Sequence, residues 1–184
     1  MNNKNLNIPN ALSLSRIVFL PILFIFVYLD MRLAFLIAFI ILGSTDFFDG
    51  LVAKHFNQQT LLGQKLDSIA DIFFYLSQAY FLYALYPSYL MPNMVLLFIF
   101  FILLITTFIT STILFKRPVM MHTTLLRTVG VLVYSVIILS YFIDTTYFVS
   151  GLIIFAYIAY IEEMMIFVKH GDVDADTKSY FSIK

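Results

Sequence analysis

Residues 94–115 read MVLLFIFFILLITTFITSTILF, with no charge at any position. A helix needs roughly 20 mainly apolar residues to cross the hydrocarbon core of a bilayer, so this stretch sets the class of the fold. The rest of the chain agrees with it. Of 184 residues, 61% are hydrophobic and only 12% charged, with a mean hydropathy of +0.94. Soluble domains carry about 45–50% apolar and about 25% charged residues, so the surplus apolar surface here must be solvated by lipid. Disorder is excluded by 21 Phe and 12 Tyr, because disordered chains are poor in aromatics. Eleven basic residues balance eleven acidic ones, and no long-range field recruits nucleic acid. The absence of cysteine removes disulfides, thiolate nucleophiles and thiolate zinc sites together.

Outward from that stretch, five more apolar segments qualify as spans, at 12–29, 33–48, 69–86, 125–143 and 147–168. Asp30, Met31 and Arg32 break the first pair, residues 87–92 separate the third span from the fourth, and the longest polar stretch is 54–65. The expectation is an all-α integral membrane protein, a six-transmembrane-helix bundle forming a single domain over residues 1–184. The first span does not read as a cleavable signal, since it lacks a small-residue cleavage site and Pro9, Asn10 and Arg16 suit an interfacial start. Threading six spans alternately puts Arg32 on one side and every other Lys and Arg on the opposite side. Positive residues mark the inner side, which predicts cytosolic termini and a multi-pass protein of the cell membrane.

Charges inside or beside spans are costly and usually functional, and here the acids cluster. The second span ends Ser44-Thr-Asp46-Phe-Phe-Asp49-Gly50-Leu-Val-Ala53-Lys54, and the third begins Gly63-Gln-Lys-Leu-Asp67-Ser-Ile-Ala-Asp71. At about 100° per residue, Asp46 and Asp49 lie about 60° apart, with Gly50 and Ala53 on the same stripe, and Asp67 and Asp71 lie about 40° apart. Two helices joined by a cytosolic loop can therefore aim four carboxylates at one point. Left unneutralised, four such groups repel and protonate; a divalent cation removes the conflict, and oxygen-only ligands favour Mg²⁺, Mn²⁺ or Ca²⁺ over zinc. Gly50, Ala53 and Gly63 leave room for a ligand or a neighbouring chain segment to approach closely. The plainer alternative is that the acids merely punctuate helix ends at the interface.

The pattern Asp46-x2-Asp49-Gly50-x2-Ala53-Lys54-x8-Gly63-x3-Asp67-x3-Asp71 resembles the signature of CDP-alcohol phosphatidyltransferases, D-x2-D-G-x2-A-R-x8-9-G-x3-D-x3-D. The opening Asn7-Ile-Pro9-Asn10-Ala-Leu-Ser-Leu-Ser-Arg16 is similar to the start of the phosphatidylglycerophosphate synthase branch of that family. The resemblance is strong over spans one to three and weak over the rest. It implies a phosphatidyl transfer on the cytosolic face. An acceptor hydroxyl attacks CDP-diacylglycerol, CMP leaves, and a phosphodiester lipid forms with Mg²⁺ or Mn²⁺, in a two-metal site. By position, Asp46, Asp49 and Asp67 would hold metal with help from Asp71, Asp71 would act as the base, and Gly50, Ala53, Lys54 and Gly63 would line the CDP-lipid pocket. A homodimer is implied as well. One position departs: Lys54 stands where the family has Arg, replacing a fork that grips phosphate twice by a mobile point charge.

Lys116, Arg117, His122 and Arg127 gather between spans four and five. Orientation alone demands much of that excess, but Arg127 lies inside the start of span five, where it suits an acceptor carrying its own phosphate. The N-terminal resemblance points to glycerol 3-phosphate; inositol phosphate and a neutral alcohol are the alternatives. Span four reads ITTFITS at 105–111, without the Arg-Glu pair of the phosphatidylglycerophosphate branch. Arg16 either snorkels to the interface or pairs inside the bundle. Of Glu162 and Glu163, about 100° apart on their helix, one is expected to snorkel and the other to pair with a cation such as Arg16 or Arg127. His55 and His170 read as surface loop histidines, and Asp172, Asp174 and Asp176 as a solvated acidic tail. Two further function classes stand beside the enzyme: a divalent-cation transporter, which would place its ligands nearer the midplane and often repeat its halves, and a catalytically silent relative.

Overall fold

The computed structural model describes residues 7–56, 60–117, 119, 121, 123–171, 173–174 and 177–183; at 46–51, 53–55, 61–62, 64–65 and 67–68 it describes the backbone alone. Among the described residues all regular structure is helical, with no strand. The helices are α1 (Ile8–Tyr28), α2 (Arg32–His55), α3 (Leu61–Leu85), the single turn α4 (Pro87–Leu90), α5 (Met94–Phe115), α6 (Thr124–Ser140) and α7 (Thr146–His170). Short 3₁₀ turns cover Met91–Asn93 and Tyr180–Ser182.

Local chemistry fixes the ends. Asn7 caps α1 by accepting from the Asn10 amide at 2.9 Å, and Pro9 sits in the first turn, where a missing N–H costs nothing. The helix closes where Asp30 adopts a left-handed conformation (φ 52°): Met31 N–H reaches Phe26 O at 2.8 Å and Asp30 N–H reaches Val27 O at 3.1 Å, the paired bonds of a Schellman ending. Thr60 caps α3 by accepting from Gly63 N–H at 3.0 Å. Thr123 caps α6 in the same way through Leu126 N–H at 3.3 Å. The polar stretch 54–65, expected as a loop, is helical at 54–55 and 61–65, because α2 runs on to His55 and α3 starts at Leu61. The acidic motif therefore sits on regular helix at both its ends.

The chain divides into two compact units, Met1–Pro87 and Ser88–Lys184. In the first, α1 packs against both α2 and α3, and an aromatic cluster supplies much of the core. Phe39 stacks on Phe74 at 5.4 Å, Phe35 meets Phe81 edge-on at 5.0 Å, and Phe24 lies 4.8 Å from Phe81. In the second, α7 packs against α5 and α6. Asn93, fully buried, ties that unit at one end, donating to the carbonyls of Tyr89 (3.1 Å) and Thr146 (3.0 Å) and accepting from the Ser150 hydroxyl at 2.5 Å.

Several helices are inside-out relative to a soluble protein. The buried residues of α5 are Thr107 and Ser111, while Val95 and Ile113 are each 72% exposed. On α1 the buried stripe is Pro9, Asn10, Ser13, Arg16, Leu20 and Leu23, whereas Val18, Phe19 and Ile25 face outward. Apolar side chains outside and polar ones inside are stable only when the surrounding solvent is lipid. Helices Ile8–Tyr28, Pro87–Phe115 and Thr146–His170 are long and apolar enough to cross a membrane; Arg32–Thr45, Ile69–Leu85 and Thr124–Ser140 are shorter apolar segments. Among the described residues the protein is an all-helical membrane protein with three candidate spans.

Candidate functional site

The buried stripe of α1 changes character along its length. Asn10, Ser13 and Arg16 occupy its N-terminal half and Leu20 and Leu23 its C-terminal half. The polar half meets the start of α3. Asn10 Nδ2 donates to the Thr60 hydroxyl at 3.3 Å, and six residues on, Arg16 Nη1 donates to Asp71 Oδ1 at 2.6 Å. Further along, Phe24 touches Tyr80 and Phe81. Residue numbers rise together on both helices, so α1 and α3 run in the same direction and the acidic motif lies at the polar end of the unit.

Arg16 is the notable side chain here, 1% exposed against 25% for its partner Asp71. A guanidinium so deeply enclosed requires a charged, hydrogen-bonding partner, and its aliphatic stem adds to the packing. Of the two alternatives left open by the sequence, the buried pair is the one realised. Among the described residues Arg16 pairs with Asp71 of α3.

Gly63 shows why the motif has a glycine at that position. A Cβ there would fall 2.3 Å from Asn10 Oδ1 and 3.0 Å from Thr60 Oγ1, so any side chain would force the Asn10 amide out of its place against the start of α3. The neighbour that approaches Gly63 closely is thus the Asn10 amide. The sequence placed Gly63 in a CDP-lipid pocket and gave Asn10 no role. The cue was available in the spacing, because Thr60 three residues before Gly63 is an N-cap signal, but nothing local names Asn10 as the third member.

Asp46, Asp49, Gly50, Ala53 and Lys54 lie on α2 and Asp67 on α3; their side chains are outside the described residues. Among the described residues no group of three metal-ligating side chains occurs, and Asp71 is the one motif carboxylate that is described. Helix register and donor chemistry suit a metal. Asp46 and Asp49 stand three apart on continuous helix, and Asp67 and Asp71 four apart, spacings that put each pair on one face. Four carboxylates form an all-oxygen donor set suited to a hard divalent cation.

Arg127 lies one turn into α6, its amide bonded to Thr123 O at 3.0 Å, in the second unit. Lys116 ends α5 in a left-handed conformation (φ 55°), and His122 lies outside the described residues. Glu163, 4% exposed, accepts from the Met121 amide at 2.8 Å, which corrects the expectation of a cation partner. Glu162 does not snorkel: it is half-buried and accepts from the Tyr180 amide at 3.0 Å. His170 ends α7 with its ring 5.2 Å from Tyr180, and His55 ends α2. Asp174 is exposed, as expected of an acidic tail, while Asp172 and Asp176 are outside the described residues.

Comparison with known proteins bears on the motif. Proteins named CDP-diacylglycerol--glycerol-3-phosphate 3-phosphatidyltransferase are similar to part of this chain. The one from Aquifex aeolicus (strain VF5) is 41% identical over 66 residues, covering 36% of this chain and 37% of its own length. Those from Rickettsia bellii (strain RML369-C) and Salmonella choleraesuis (strain SC-B67) are 38% and 40% identical over 68 residues, covering 35% of this chain and 38% and 37% of their own lengths. The chain thus spans under two fifths of the length of the curated relatives it matches. No solved structure matches it. The family model described as CDP-alcohol phosphatidyltransferase matches residues 6–168, taking in both units, and a match over that much of the sequence means that this chain belongs to the CDP-alcohol phosphatidyltransferase family.

Proposed function

We propose that this protein transfers the phosphatidyl group of CDP-diacylglycerol to glycerol 3-phosphate and releases CMP, a step of phospholipid synthesis. In this reading it is a multi-pass protein of the cell membrane with six spans, a single catalytic domain over residues 1–184, cytosolic termini and an active site on the cytosolic face. It acts as a homodimer. The observation that carries the reading is the enclosed Arg16–Asp71 pair at 2.6 Å, which ties the last carboxylate of the family motif to α1 at the polar end of an otherwise apolar unit. Ionisable groups are costly in such surroundings and are kept where chemistry needs them.

The residues divide the labour. Asp46, Asp49 and Asp67, with Asp71, would hold Mg²⁺ or Mn²⁺, in a two-metal site that would supply charge neutralisation at the pyrophosphate. Gly50, Ala53 and Gly63 keep the pocket for the CDP lipid open, and Lys54 meets its phosphates as a point charge. Arg127 receives the phosphate of the acceptor. The acceptor hydroxyl oxygen bonds to the phosphorus that carries diacylglycerol, the bond from that phosphorus to the bridging oxygen breaks, and CMP leaves with the electron pair. Asp71 accepts the hydroxyl proton, and Arg16, by holding Asp71 Oδ1, orients the carboxylate for it.

The test is CMP release from CDP-diacylglycerol by purified protein, with glycerol 3-phosphate, inositol phosphate and glycerol offered in parallel. Turnover with glycerol 3-phosphate that stops in excess chelator is expected. Turnover unaffected by chelator would remove the metal, and a preference for another alcohol would remove the acceptor assignment. A monomer in both detergent and nanodiscs would count against the dimer.

A further inference from the structure

Glu162 and Glu163 stand side by side near the C-terminal end of α7, outside the acidic motif. Adjacent helical residues point about 100° apart, and each of these carboxylates accepts from the backbone of a different peripheral segment. Glu163 Oε1 takes the Met121 amide of the α5–α6 loop at 2.8 Å, and Glu162 Oε1 takes the Tyr180 amide of the C-terminal tail at 3.0 Å. The two segments also bond to each other: Thr124 N–H, at the first residue of α6, donates to Lys178 O at 2.8 Å. Beneath them Met121, Ile166 and Phe167 form a buried cluster, onto which Val173, Tyr180 and Ile183 of the tail pack. Beyond the exposed Asp174, residues 177–183 form a strap across the loop.

The start of α6 is consequently held at three nearby points, by Glu163 at Met121, by the Thr123 cap, and by Lys178 at Thr124. A carboxylate on a span is costly, and α7 places two in succession on this junction. Arg127 follows one turn later. We propose that Glu162 and Glu163 are positioning residues that clamp the C-terminal tail and the α5–α6 loop into one cap, and that this cap governs recognition of the phosphorylated acceptor through the start of α6. The inference rests on the reading that the acceptor's phosphate binds beside the start of α6.

The test uses the full-length protein in mixed micelles, varying glycerol 3-phosphate and CDP-diacylglycerol separately, with amide hydrogen exchange measured on the same samples. Glu163→Leu keeps volume but removes the acceptor of the Met121 amide. It should raise the KM for glycerol 3-phosphate on the order of tenfold, the scale of one lost buried hydrogen bond, leave the KM for CDP-diacylglycerol unchanged, and speed exchange across 119–127. Glu163→Gln retains an oxygen for that amide and should restore both readouts. Glu162→Leu should speed exchange across 177–183 and raise the same KM. Unchanged exchange in both leucine variants overturns the clamp. Faster exchange with a wild-type KM, or an equal rise in both KM values, overturns the link to the acceptor. Raised KM in Arg127→Ala with a wild-type KM in Glu163→Leu keeps the acceptor reading and sinks the cap; the reverse pattern keeps the cap and removes Arg127 from the acceptor's phosphate.

Discussion

Asp71 in the first unit and Glu163 in the second are both carboxylates on long apolar helices, yet they are satisfied in opposite ways. Asp71 is held by a full charge from another helix, the Arg16 guanidinium, whereas Glu163 is held by a backbone amide of a neighbouring loop. A guanidinium–carboxylate pair is a contact between two ions, either of which can be offered another ion. A carboxylate spent on an amide is committed to the position of a chain segment, because withdrawing it would strand a buried N–H. The contrast separates a carboxylate available for chemistry from one that shapes the protein.

The largest expected effect tests that division directly. Asp71→Asn should lower transfer by about 10²–10⁴-fold, the usual contribution of a positioned base, with CDP-diacylglycerol still bound; Glu163→Gln should stay close to wild type. Near-normal CMP release from Asp71→Asn would erase the distinction. Next in size is the cost of breaking the pair. Arg16→Met leaves its partner carboxylate without that cation, and Asp71→Leu leaves the guanidinium buried; breaking one side of a buried pair typically costs about 3–5 kcal/mol. The quarter exposure of Asp71 should put Arg16→Met below Asp71→Leu in that range. The double variant should be less damaged than the sum of the singles in a detergent unfolding series; strict additivity would show that the two charges do not depend on one another.

A smaller effect is expected at the other contact between α1 and α3. Gly63→Ala forces a Cβ to within 2.3 Å of Asn10 Oδ1, and overpacking of this kind costs about 1–3 kcal/mol. Asn10→Ala should rescue the alanine variant in the same unfolding assay, and a failure to rescue would mean that another atom limits the space. The smallest effect belongs to an exposed carboxylate. Asp144 accepts from the Thr146 hydroxyl at 2.6 Å and its amide at 2.8 Å, and these bonds, the hydroxyl's first, hold it below the usual carboxylate range. A lowered folded-state pKa adds stability above the unfolded value, about 3.9 for Asp, and loses it as pH falls through the folded value. Asp144→Asn should therefore differ from wild type slightly above about pH 4 and converge with it in stronger acid, as read from melting temperature against pH. A gap that widened in acid would contradict the sign.

Much of this was legible in residue order. The charge-free run 94–115 coincides with α5, and the Asp30–Arg32 break with the turn between α1 and α2, because helix length and lipid solvation act on consecutive residues. The acidic motif could be recognised for the same reason, its members lying on two short segments at helical spacing. Partners could not be read. Arg16 and Asp71 are 55 residues apart, and Arg16 was equally compatible with snorkelling. One of Glu162 and Glu163 is expected from sequence to seek a cation because charge complementarity is all that a sequence displays of electrostatics. The Met121 amide carries no signature, since every residue except proline has one.

By itself, the sequence determined that this chain is solvated by lipid, that its helices fall where the apolar runs fall, and that four aspartates stand in the pattern of one enzyme family. These properties depend on composition and on neighbours within a few residues, where periodicity is the governing geometry. Only the tertiary structure decided that Arg16 lies against Asp71, that Asn10 takes the space a side chain at Gly63 would need, and that the tail closes over the α5–α6 loop through Glu162 and Glu163. Each of these joins segments distant along the chain, and which ones meet depends on how whole helices pack their faces together.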